Sequence, residues 1–279
     1  MPTAADALSI RPLETPDELR ACLALQDATW GPAFSERVPY AVLWFTRRIG
    51  GVLIGAFDAH GLAGFVFGVT GWRDGRPVHW SDMLAVRKDV RDRGVGLQLK
   101  RAQRDALLAA GVRLAQWTFE PLESRNAYLN LVRLGGITRT YERDVYGESD
   151  SPLHGVIGTD RLIVDWHLDS QRVERSLARD HAPRFDATSL PAINVVETAG
   201  GMPVCGVLDT GRTDEAVTLL VPADIDRVRA ADRHVARTWR ECTRTAFEAY
   251  LARGYTVTTL VRMDEQVSGY VLERDFTIG

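Results

Sequence analysis

The chain has 279 residues, 45% hydrophobic and 25% charged, with a formal net charge of −3. That is the composition of a folded globular chain long enough to bury one large core or two smaller ones. The balanced charge and the lack of a basic run speak against a nucleic-acid partner, and no stretch reaches the ~18 apolar residues of a membrane span.

In chain order, Ser9 to Pro12 reads as a strand. Thr15, Pro16 and Glu18 then open a helix, with Thr15 and Glu18 spaced as a capping box. Ser35 to Ile49 leans helical. Gly51–Phe57 and Leu62–Thr70 are β-rich and separated by Asp58-Ala59-His60-Gly61, a hairpin pattern. Val78–Val86 is the next strand. Val95, Leu99, Ala102, Ala106 and Ala109 recur at helical spacing up to Gly111. Leu114–Phe119 is a strand, and Ser124–Leu134 a helix stopped by Gly135. Ile137–Asp144 and Asp160–His167 close the sheet. The order predicts an α+β fold in three layers, a mixed central sheet flanked by helices.

Composition shifts after Leu168, which divides the chain into domains 1–168 and 169–279. The second, smaller domain reads as α+β. Asp169–Leu190 is a polar arm or lone helix. Ile193–Val196, Val204–Leu208 and Val217–Val221 are strands, Asp232–Arg253 is a long helix, and Tyr255–Arg262 and Ser268–Arg274 are the last strands. On the long helix, Val235, Trp239, Cys242 and Ala246 form an apolar stripe, and Arg233, Arg237, Arg240 and Arg244 a basic one opposite. The basic stripe is expected to face solvent, or to bind a carboxylate or phosphate at a boundary. The order strand, helix, strand, strand suggests a degenerate repeat of the first half without its glycine loop.

Cys22, Cys205 and Cys242 are far apart and odd in number. That spacing suits neither a disulfide framework nor a zinc site, so no metal is expected and a reducing compartment fits. Met1 to Ile10 has neither a basic start nor a continuous apolar run, which makes the cytoplasm the expected location.

The most informative stretch is Leu84-Ala85-Val86, followed after four residues by Arg91-Asp92-Arg93-Gly94-Val95-Gly96. A strand runs through a glycine loop into a helix. Glycine lets a ligand approach the backbone. The helix start offers unpaired N–H groups and a partial positive charge, together an anion site. Neither the P-loop pattern nor the dinucleotide fingerprint is present.

This motif, with the order of elements around it, resembles the GNAT N-acetyltransferases over roughly residues 10–168. Pro121-Leu122-Glu123-Ser124-Arg125-Asn126 resembles a motif of a bacterial GNAT subgroup. The resemblance implies acyl-coenzyme A, with acetyl-CoA the default. It places the pantetheine along the backbones of Leu84, Ala85 and Val86, and the pyrophosphate on the amides from Arg91 to Gly96. Asn126 lies near a position where the family often has a cofactor-contacting asparagine, although the best register puts Ser124 there.

Attack on a thioester needs a neutral amine, hence a base, and the leaving thiolate needs a proton. Simple alternation puts Trp80, Asp82, Leu84 and Val86 on one face, which nominates Asp82 as base. His79 is the runner-up and needs a strand bulge to point inward. The family's usual tyrosine acid falls on Leu131, so it does not carry over. Tyr141 is the substitute, beside Tyr128 and Tyr146.

The resemblance thus implies an acyl-CoA-dependent N-acyltransferase acting on the amine of a small molecule or amino acid. Two alternatives stay open: transfer from a larger carboxylated donor such as succinyl-CoA, and a non-catalytic acyl-CoA sensor. The second half is expected to shape the acceptor site or form a homodimer contact.

Overall fold

The Thr15 side chain accepts from the Glu18 amide, and Glu18 in turn accepts from the Thr15 amide, so the capping box forms and starts α1 (Pro16–Trp30). The computed structural model describes residues 8–32, 34–147, 157–180 and 184–279. They form two units, divided between Trp117 and Thr118.

In the first unit, β1 (Ser9–Pro12), β2 (Val52–Asp58), β3 (Gly61–Arg73), β4 (Arg76–Val86) and β5 (Leu114–Phe119) lie side by side in that order. The first four pair antiparallel, and β5 joins β4 parallel. Asp74 and Gly75, both at positive φ, form the two-residue turn that joins β3 to β4. Helix α2 is Tyr40–Thr46, shorter than the span that leans helical in the sequence. Phe65, Phe67, Met83 and Ala85 pack with Leu19, Cys22, Leu25 of α1 and Leu43 of α2 in one core cluster. Helix α3 (Val95–Ala109) covers the other face, where a side chain at Gly64 would meet Leu99. This is the expected layered α+β arrangement.

The second unit holds α4 (Ser124–Ala127), continued by a π-helical turn Tyr128–Arg133, then β6 (Ile137–Glu142), β7 (Arg161–His167) and α5 (Gln171–Ala178). A ribbon of β8 (Asn194–Ala199) and β9 (Met202–Leu208) follows, then β10 (Ala216–Pro222), α6 (Ile225–Ala231), α7 (Arg233–Leu251), β11 (Tyr255–Arg262) and β12 (Val267–Arg274). Its sheet runs β7-β6-β11-β12-β10. The pairing of Thr138 with Val257 joins strands from either side of Leu168. The expected boundary at Leu168 falls inside this second unit. Part of the Asp144–Asp160 connection lies outside the described residues.

Two further expectations are corrected here. Cys205 and Cys242, 37 residues apart, are joined as a disulfide between β9 and α7. Spacing along the chain misses a contact that folding makes. The arginine stripe of α7 does not turn wholly to solvent: Arg240 is 2% exposed and donates through one nitrogen to both Glu120 oxygens, at 2.5 and 2.6 Å. Arg244 donates to both oxygens of Asp160 at 2.7 Å. Trp239, Cys242 and Ala246 of the opposite stripe are buried, with the Trp239 indole N–H on the Pro203 carbonyl at 2.9 Å. The N-terminal pair of the basic stripe, Arg233 and Arg237, is exposed. Among the described residues no helix is long and apolar enough to cross a membrane.

Candidate functional site

Among the described residues, strand β4 pairs with β5 at Val78–Leu114, His79–Ala115 and Trp80–Gln116. Within the first unit's described residues it then runs on to Val86 with β3 as its partner. The Arg87 amide donates to the Ala63 carbonyl at 2.8 Å. Peptide groups alternate sides along a strand, so those of Ala85 also face β3, and those of Leu84 and Val86 face the open β5 side. Ala85 differs from its neighbours in the motif: its methyl is 2% exposed in the core and its peptide groups serve the sheet.

After β4, the 3-10 turn Lys88–Val90 leads to Arg91, whose Nε donates to the Val86 carbonyl at 3.0 Å and ties the loop to the strand end. Asp92 and Gly94 both have positive φ, 64° and 79°. Arg91, Asp92, Arg93 and Gly94 are exposed, while Val95 is buried. Gly94 is the N-cap of α3, brings no side chain to cap it, and no acidic residue sits in the first turn. The first amides of α3 are left without a capping side chain at the positive end of a fifteen-residue helix. Gly96 lies within reach of Leu84 and Val86: a Cβ there would sit 3.7 Å from Leu84 Cδ2.

A β-bulge sits between these features and the base candidate. Phe67 opposes Met83, but Val69 opposes Trp80, so Ser81 and Asp82 together face Gly68. The extra residue breaks the simple alternation. His79 and Ser81 turn toward α3, where they bond Gln103 and Lys100, and share that face with Leu84. Trp80 pairs instead on the α1/α2 face, with Val69. The expected single face of Trp80, Asp82, Leu84 and Val86 is therefore not formed. Asp82 sits in the bulge, open to solvent, two residues along the strand from the Trp80 indole. Enclosure by surrounding protein pushes its carboxyl above the ordinary range, the indole offsets part of that rise, and the solvent-open side chain bounds it.

His79 is brought to the inward face but is fully buried in a polar chain. Lys100 Nζ donates to Ser81 Oγ at 2.7 Å and Gln103 Oε1 at 3.1 Å, Gln103 Nε2 meets His79 Nε2 at 3.1 Å, and His79 Nδ1 meets Thr70 Oγ1 at 3.0 Å. Burial, helped by the Lys100 charge, pushes His79 down to about 3, so the ring stays neutral. Sequence reasoning missed Lys100 and Gln103; their signal was two polar residues, three apart, flanking the Leu99 stripe.

Asn126 and Tyr141 belong to the second unit. Asn126 is exposed on α4, and the Ser124 hydroxyl is taken by the Pro222 carbonyl at 2.9 Å. Leu131 is fully buried in the π-helical turn. Tyr141 stacks on Phe247 and donates its hydroxyl proton to Asp160 at 2.5 Å; burial chiefly pushes the phenol well above its usual range. Tyr128 is 48% exposed, and the Tyr146 hydroxyl bonds Thr118 at 3.0 Å.

No protein-family model matches the chain, and no curated protein matches it. Solved structures do resemble part of it. An N-acetyltransferase from Staphylococcus aureus Mu50 is 15% identical, covering 59% of this chain and 100% of that one at a TM-score of 0.47. The ribosomal-protein-S18-alanine N-acetyltransferase from Escherichia coli is 19% identical, over 58% of this chain and 94% of that one, TM-score 0.45. A GNAT family acetyltransferase from Elizabethkingia anophelis, with acetyl-CoA bound, is 16% identical over 58% and 99%, TM-score 0.45. At these values they are likenesses of part of the chain, and the chemistry is read from this chain's own strand edge and loop.

Proposed function

We propose that the chain is an acyl-CoA-dependent N-acyltransferase, with acetyl-CoA as donor and a small amine as acceptor. The observation that carries this is the open edge of β4 running into the uncapped start of α3. The peptide groups of Leu84 and the amide N–H of Val86 offer an extended amide-bearing arm a strand to pair with. The amides from Arg91 to Gly96 offer its diphosphate a positive, backbone-lined seat. Phosphate, amides and thioester in that order fit acyl-coenzyme A. All of these groups belong to the first unit.

Asp82 is the base. The acceptor ammonium gives one proton to the Asp82 carboxylate, and the freed nitrogen pair bonds to the thioester carbonyl carbon. The C–S bond breaks with its electrons on sulfur. Sulfur takes up one proton and nitrogen releases a second, so ammonium and thioester become amide, thiol and one proton. A carboxylate raised by its surroundings is better matched to this task near neutral pH than an ordinary one.

A second reading, an acyl-CoA sensor without turnover, is favoured by Leu131 at the family's acid position and by the commitment of Tyr141 to Asp160. Calorimetry with coenzyme A, and thiol release from acetyl-CoA over a panel of amines, separate the two. Binding with amine-dependent thiol release is the enzyme, and binding without it the sensor. No binding, with Gly94→Glu behaving as the parent, refutes both.

A further inference from the structure

The open edge of β4 ends at a fork. Among the described residues, the last pair of β4 with β5 is Trp80 with Gln116. The next residue along β4 is Ser81, and along β5 it is Trp117. A carrier seated with its diphosphate at the start of α3 passes Val86 and Leu84. Its far end comes to this fork, where Ser81 and Asp82 share the bulge.

Lys100 of α3 stands under the fork and touches both arms. Its Nζ donates to Ser81 Oγ at 2.7 Å and lies 3.7 Å from the centre of the Trp117 ring. Around it, β4 brings Ser81 and His79, α3 brings Gln103, and β5 brings the Trp117 ring. His79 stays neutral, pushed down to about 3. Burial pushes Lys100 down to about 7, which suits an ammonium that gives up its proton near neutral pH. The departing thiolate needs such a proton. Leu131 has none to give, and the Tyr141 hydroxyl is spent on Asp160.

We propose that Ser81 is the acid of the transfer, giving its hydroxyl proton to the departing sulfur and refilled by Lys100. This rests on the acyltransferase reading and assigns the proton donor that reading leaves open. As the C–S bond breaks with its electrons on sulfur, sulfur takes the Ser81 proton. The Ser81 oxygen takes one from the Lys100 ammonium at the same bond. The second proton shed by nitrogen returns through water and restores Lys100 once the thiol has left, so the overall balance is unchanged. Asp82 opens to solvent, whereas Ser81 is buried against α3. Base and acid of one bulge therefore draw on separate proton sources. Ser81 meets the reacting sulfur, and Lys100 acts through Ser81 as a positioning and supply residue.

The test follows thiol release from acetyl-CoA by the full chain and by Ser81→Ala, with ethanolamine, spermidine or 2-phenylethylamine as acceptor. Whichever amine the parent uses best is then followed from about pH 6 to about pH 9. We expect Ser81→Ala to lower kcat by about a hundredfold at the acid end, with coenzyme A affinity by calorimetry within about twofold. The parent-to-variant ratio of kcat should shrink above about 7 as Lys100 loses its proton. Taking the ratio cancels the titrations of Asp82 and of the amine, and a merely structural role for Ser81 would leave it constant. A kcat within about threefold of the parent, or a ratio constant across the range, overturns the proposal. If Ser81→Ala does not fold, Lys100→Met decides: a loss of kcat that shrinks with rising pH supports the proposal, and a constant loss or parent-like kcat overturns it. No thiol from the parent with any of these amines removes the acyltransferase reading itself, and the acid with it.

Discussion

The Lys100 ammonium donates to the Ser81 hydroxyl at 2.7 Å, fastening α3 to the bulge of β4 from below. The same ammonium lies 3.7 Å from the centre of the Trp117 ring. One buried side chain thereby links the helix behind the glycine loop to the strand residue next to Asp82.

Burial pushes Lys100 down to about 7 from an ordinary 10.5. Between those values the unfolded chain binds a proton that the folded chain lacks. Stability from this group therefore rises with pH across that window and is flat below it. Urea midpoints of the parent and Lys100→Met, measured from about pH 6 to about pH 10, should show the parent rising relative to the variant as it loses its buried charge. A constant gap would mean that Lys100 does not titrate there.

The two loop glycines should part company on substitution. Gly94 has φ 79°, so Gly94→Ala forces an alanine into the left-handed region at a cost of about 1–2 kcal/mol. Gly96 has ordinary backbone geometry, and an added methyl meets Leu84 and Val86 at 3.7 and 3.9 Å, normal contact. Gly96→Ala should gain up to about 1 kcal/mol of helix propensity. Chemical denaturation reads both, and calorimetry should find coenzyme A binding retained by Gly96→Ala.

Asp82→Asn should lower kcat by at least about a hundredfold with coenzyme A affinity held within about twofold. Steady-state kinetics and calorimetry report the two quantities separately. Unchanged kcat would move the base elsewhere.

Arg240→Ala leaves Glu120 with Arg161 as its remaining recorded arginine, at 3.2 Å. Removing one partner of a buried ion pair costs about 3–5 kcal/mol, so the loss on urea denaturation should lie near that range.

Reducing the Cys205–Cys242 bond should destabilise the chain by about 2–4 kcal/mol, since it closes a loop of 37 residues in the unfolded state. A non-reduced peptide map should recover the two cysteines in one linked species and Cys22 alone.

Local signals carried well into three dimensions where the physics is local. Thr15 with Glu18 capped α1, Gly111 followed α3, and Arg91 to Gly96 made the turn their residue types require. What escaped reading depends on partners distant in sequence. The bulge at Ser81–Asp82 exists because β3 offers one residue, Gly68, against two. A side chain at Gly68 would collide with His79 Nε2 at 2.4 Å, so that glycine makes room for the inward histidine. Periodicity within β4 alone contains neither fact. Arg240 looked solvent-facing because its counter-charge, Glu120, lies 120 residues away. Helix α6 is a short α-helix of seven residues capped by the Asp224 side chain, too short for its periodicity to stand out.

Cys22 has no accessible surface, and burial, eased slightly by Gln26, pushes its thiol up to about 12. Its two sister sulfurs are spent on each other. A maleimide dye thus has no ready target on the parent molecule. Any cysteine placed on an outer surface can carry a fluorophore or spin label by itself, which opens the chain to distance measurements without first removing a native residue.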